Sequence, residues 1–195
     1  KNPINKKGTK GTKDFLATIV QSYMLLITSP MLGITGGSQP LISYNYGANQ
    51  PARIRKTVFW VLMLCICFTT LMFLLSRIMP EIFVRIFTSD AEYRELAVWG
   101  IRVFTMMIIP LSFQYVFVDS LTALGMTGIS LTLSLFRKGL YLASTCALPV
   151  FFAASSAFYA EPIADGTAAV LSTVVFFGIY RKYLRGDGRL MEIKV

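Results

Sequence analysis

Gly33-Ile-Thr-Gly-Gly-Ser-Gln-Pro-Leu-Ile-Ser-Tyr-Asn-Tyr-Gly-Ala48 closes the first long apolar run of this chain. A proline inside a helix removes one backbone hydrogen bond and presses on the carbonyl four residues earlier. Pro40 directs that disturbance at Gly36, beside the equally permissive Gly37. In lipid such a break survives only where protein, water or side chains satisfy the freed groups, and Ser38 and Gln39 stand next to it. Read as packing alone, the stretch is a kinked helix with close glycine contacts and interfacial tyrosines. The grouping of Gln39, Pro40, Tyr44, Asn45 and Tyr46 at one bend argues for more than packing.

Composition sets the solvent. The chain has 195 residues, of which 54% are hydrophobic and 15% charged, with a mean hydropathy of +0.59. Soluble domains carry about 25% charged residues, so the deficit and the long apolar runs indicate an all-α, polytopic membrane bundle. The formal charge is +9. Its basic residues flank apolar runs, where they orient helices and meet anionic lipid, so the expected partner is the bilayer and no nucleic acid. With no histidine, imidazole metal sites and histidine acid–base chemistry are excluded. Cys65, Cys67 and Cys146 show neither a disulfide framework nor a zinc spacing; no metal site and no organic cofactor is expected.

Taken in order, residues 1–14 read as a basic lead-in, 15–183 as the helical bundle and 184–195 as a basic tail. About five membrane helices are expected, at 15–46, 58–79, 96–124, 129–152 and 158–180. The first would span roughly 48 Å against a hydrocarbon core of about 30 Å, so it must tilt or project. Arg53, Arg55 and Lys56 form a compact basic loop. The mixed-charge loop Glu81–Glu95 includes a short interfacial helix around Ile82–Phe87. Basic loops face the cytoplasm, which puts the Arg53–Lys56 loop and the tail inside, in the cell membrane. The loop near Asp90 and the Ala153–Ala157 turn then lie outside. The lysine-rich start also falls outside, which suggests that further chain precedes it.

Ionisable groups within spans are functional hypotheses by default. Depth counted along each helix pairs Asp119 with Arg137 or Lys138 near the inner side, and Arg102 with Glu161 or Asp165 near the outer side. Glu161 and Asp165 also sit beside Pro162 in a first turn, where carboxylates favour the helix dipole. Being four apart they share one face, an arrangement suited to holding a proton. Asp119, Glu161 and Asp165 are therefore the ion-coupling candidates, and Arg102, Arg137 and Lys138 the structural ion-pair candidates.

The Gln-Pro-Leu-Ile-Ser-Tyr-Asn-Tyr-Gly-Ala run, the Arg-x-Arg-Lys after it, Ala123-Leu124-Gly125 and Ala160-Glu161-Pro162-Ile163-Ala164-Asp165 together resemble the C-terminal half of multidrug and toxic compound extrusion (MATE) transporters. The resemblance covers residues from about Phe15 to Tyr183. It implies helices eight to twelve of a twelve-helix, two-lobe exporter, hence an incomplete lobe. Such an exporter moves amphipathic or organic cations in exchange for H+ or Na+. It further implies that Gln39, Pro40, Tyr44, Asn45 and Tyr46 face the cavity or its inner gate, with Gln114 as a cavity polar group. The N-terminal lobe, in cis or as a partner chain, would complete the machine. Two rivals are a membrane-embedded enzyme using Asp119 or Glu161/Asp165 on a lipid-linked substrate, and a non-catalytic membrane assembly subunit. The first lacks a nucleophile–base pair, metal-ligand spacing or a phosphate loop, so no enzyme is expected.

Overall fold

Hydropathy of this kind can bury its backbone polar groups only inside helices, and every regular element described is helical. The computed structural model describes residues 10–87, 91–151 and 158–184. Among the described residues seven α-helices run in order: α1 (Lys10–Gly47), α2 (Pro51–Ile78), α3 (Pro80–Phe87), α4 (Ala91–Phe104), α5 (Ile108–Ala123), α6 (Thr127–Phe151) and α7 (Ala160–Ile179). A 3-10 turn at Thr105–Met107 joins α4 to α5, and a π turn at Tyr180–Leu184 follows α7.

Several boundaries differ from the expectation. Helix α1 starts within the anticipated lead-in and continues through both Pro30 and Pro40. The Arg53–Lys56 loop is instead the opening of α2, because Pro51 at the first helical position suits the chain to start there. The turn between them closes through Asn49 at φ 55°, a left-handed conformation that asparagine tolerates. The third segment is not one helix. Pro110 lacks an N–H and its ring presses on the carbonyl of residue 106, so α4 ends at Phe104 and α5 begins at Ile108 with Pro110 in its first turn. The expected short helix after Pro80 is α3. Gly125, at φ 81°, turns α5 into α6. The Ala153–Ala157 turn, Asp90, and most of the lead-in and tail lie outside the described residues.

Among the described residues four stretches are long and apolar enough to cross a membrane: Leu16–Gly47, Pro51–Ile78, Tyr93–Ala123 and Ala160–Lys182. The fifth expected span, α6, has 25 residues and so a length of about 37 Å. It carries Arg137 and Lys138 among its apolar residues and falls short of the other four in hydropathy.

Helix α5 is the axis of the bundle, packing against α1, α2, α6 and α7. Its Leu111, Val116, Phe117, Leu121 and Ala123 join Met31, Ile42, Ile54, Val58 and Phe176 in one core. Phe117 stacks on Phe176 with ring centroids 4.4 Å apart. A second core at the other end joins Ile19, Val20 and Ile27 of α1 to Val84, Ala97, Ile101 and Ile108. Because Ile54, Leu124 and Tyr180 meet in the first core, Arg53–Lys56 and Arg181–Lys182 occupy the same end of the bundle.

Cross-helix hydrogen bonds fix the register. Ser43 donates to the Ala123 carbonyl at 2.9 Å. The hydroxyls of Ser76 and Thr105 meet at 3.1 Å, and Tyr23 donates to the Met72 carbonyl at 3.4 Å. The expected close packing of the motif glycines is absent: a Cβ at Gly33, Gly36 or Gly37 would meet nothing within 4 Å. The close approach is at Gly100 instead, where a Cβ would lie 2.8 Å from Val20 Cγ2.

Candidate functional site

Residues 35, 39, 42 and 46 recur at helical spacing, so they share one face of α1. That face turns inward: Thr35 and Ile42 are fully buried, and Tyr46 packs on the first core. The opposite face carries Gly33, Gly37, Pro40 and Tyr44, all exposed, with Tyr44 at 73%. The motif residues therefore do not converge on one site.

Gln39 and Thr35 reach toward α5, where their polar side chains neighbour the carboxylate of Asp119. The Cys65 thiol of α2 lies near enough to feel that charge. Asp119 opens on its other side into a cavity of about 230 Å³ between α1, α5 and α6. Leu32, Gln114, Tyr115, Val118, Ser134, Arg137 and Lys138 complete its wall. Gln114 is 4% exposed and its Oε1 has no hydrogen-bond partner, an uncommon condition for a buried amide.

Asn45 goes elsewhere. It is buried, its Nδ2 donates to the Leu41 carbonyl at 2.7 Å, and its Oδ1 is unpartnered. With Tyr44, Arg53, Lys56 and Trp60 it lines an open groove between α1 and α2.

The ion pairing differs from the depth argument. Arg137 Nη1 meets Asp165 Oδ1 at 2.5 Å, with the two side chains 13% and 1% exposed. Arg137 is about three turns into α6 and Asp165 about one and a half turns into α7, so the two helices are slid relative to each other. Depth counted from each helix end assumes level ends, and that assumption fails. Among the described residues Asp119 pairs with neither Arg137 nor Lys138 and lies instead against neutral Thr35 and Gln39 of α1. Arg102 is exposed and lies near Arg77, not beside Glu161 or Asp165. Glu161 instead faces Arg137 and Lys138.

The acid at the cavity, the buried pair between α6 and α7 and the Gln39–Asn45 stretch of α1 stand beside those of known proteins. The family profile described as MatE matches residues 16–147, more than half of the chain. The chain belongs to the MatE family. The solved structure of the MATE multidrug transporter DinF-BH in complex with a ligand aligns with a TM-score of 0.77 and 30% sequence identity, covering 84% of this chain and 37% of that chain. This MATE chain thus spans little more than a third of that transporter. No curated protein matches it. MATE proteins are multi-pass membrane transporters, not enzymes, which removes the lipid-linked enzyme as a reading.

Sequence reasoning missed Thr35, Tyr115 and Ser134. Thr35 carried a usable signal, four residues before Gln39 on the same face. Tyr115 and Ser134 carried none, since which helix faces which is settled only by packing.

Proposed function

We propose that this chain is the greater part of the C-terminal lobe of a MATE drug exporter, exchanging amphipathic or cationic molecules for H+ or Na+. The observation that supports it is Asp119 on the wall of the α1/α5/α6 cavity. Its polar neighbours on α1, Thr35 and Gln39, are neutral, and Arg137, on the wall of the same cavity, is committed to Asp165. Asp119 itself is taken up by no ion pair among the described residues, which leaves it open to a cation, with the Tyr115 ring and apolar Leu32 and Val118 beside it to receive an amphipathic body. The solved relative is described as a multidrug transporter and was captured as a ligand complex.

In this reading a second lobe, in cis or as a separate chain, supplies the opposite wall, because alternating access requires two elements moving against each other. The Arg53–Lys56 end and the C-terminus face the cytoplasm under the positive-inside rule. The test is efflux of a fluorescent cation from vesicles holding the complete two-lobe assembly. Asp119→Asn is expected to lower efflux tenfold or more with unchanged membrane abundance. Wild-type efflux from that variant would remove the cavity from the mechanism. Imposing a pH gradient or a sodium gradient separately identifies the coupling ion.

A further inference from the structure

The groups between α6 and α7 form a unit of their own. Asp165 gives one oxygen to Arg137, while its Oδ2 is buried without a partner. Glu161, one turn earlier on the same face, is half-buried. Arg137, Lys138, Tyr141, Glu161, Ala164 and Asp165 surround a space of about 10 Å³, room for one water at most. From α5, the Tyr115 ring centroid lies 5.7 Å from the guanidinium, and Asp119 is the next acid, across the larger cavity. The 3-10 turn meets α7 through Met107 at Gly166.

Lys138 also faces both acids but is exposed, so Arg137 is the buried cation of the group. One buried guanidinium then stands against two carboxylates, and Asp165 Oδ2 is left unpaired where charge is costly. A metal ion is a poor remedy, for the space holds one water at most and the Arg137 guanidinium already takes one of the carboxylate oxygens. A proton needs no space and no ligand shell.

We propose that Glu161 and Asp165 together hold one exchangeable proton, with Arg137 as their fixed counter-ion, and that this site does not accept sodium. Its use in transport rests on the antiport reading above. Arg137 and Lys138 line both spaces, so taking up the proton leaves the wall opposite Asp119 more positive by one charge. That change disfavours a cation in the larger cavity, which is the sign required of antiport.

Infrared difference spectroscopy of the purified chain in dodecyl maltoside, a detergent without carbonyl groups, reads the proton directly. A protonated-carboxyl band is expected at neutral pH. It should disappear in Glu161→Gln and in Asp165→Asn, each of which leaves one carboxylate balanced by Arg137. It should persist in Asp119→Asn and be unchanged when sodium replaces potassium. Asp165→Glu, which keeps the chemistry, should retain the band at a shifted frequency and so separates loss of the group from loss of the fold. Absence of the band in the wild type, its survival in both neutral variants, or its loss in sodium overturns the proposal. A band in a protein whose assembly shows no efflux keeps the proton site and removes antiport; efflux without the band does the reverse.

Discussion

Replacing Asp165 with alanine removes the hydrogen-bonded partner of the Arg137 guanidinium, 13% exposed, and leaves it only the half-buried Glu161. Breaking a buried pair from one side costs about 3–5 kcal/mol, because the surviving charge has lost both its partner and its water. Asp165→Ala is therefore expected to lower the unfolding free energy of the purified chain by about that amount, measured by denaturant titration in detergent. The exposed, sequence-local pair Arg85–Glu81, at 3.5 Å, is the contrast: its loss should change stability by less than about 1 kcal/mol. Acidic residues in spans were legible in the sequence as unusual. Their partners were not, because a one-turn slide between α6 and α7 exchanges every neighbour.

Among the elements, α5 is defined by what surrounds it. Its apolar residues show no preferred face because it is buried on nearly every side, with ten of its 16 residues inside the bundle. The break before it follows from Pro110 and was foreseeable from that residue, though the long apolar run made a single helix the simpler reading. The packing of α1 on α4 has one tight point, Gly100 against Val20. Gly100→Ala should cost about 1–3 kcal/mol through overpacking. Gly37→Ala, facing open space, should leave stability unchanged or raise it by up to about 1 kcal/mol from helix propensity. Parallel thermal unfolding of the two variants measures the difference. Equal effects would mean that α1 and α4 do not approach as described.

At the scale of the whole molecule, the outer surface is apolar: Leu25, Leu26, Trp60, Leu71, Leu131 and Leu142 are each more than half exposed. Lipid satisfies that surface, as it must for a multi-pass protein. The polar cavity by contrast has walls on α1, α5 and α6 only. Reconstituted by itself into vesicles, the chain is expected to give no cation export above protein-free vesicles under either a proton or a sodium gradient. Export against a gradient by this polypeptide alone would show that one lobe suffices.

The sequence by itself determined the solvent, the helical class and the family resemblance. Each of these depends on local quantities: transfer of side chains to lipid, glycine and proline punctuation, and one distinctive run at residues 33–48. Only the tertiary structure decided that the run splits between two faces of α1, that Asp119 lies against Thr35 and Gln39, and that Arg137 belongs to Asp165. Those outcomes depend on how each helix is rotated and slid against its neighbours. Rotation and slide come from side-chain interlock across the whole bundle, which no stretch of the chain contains alone.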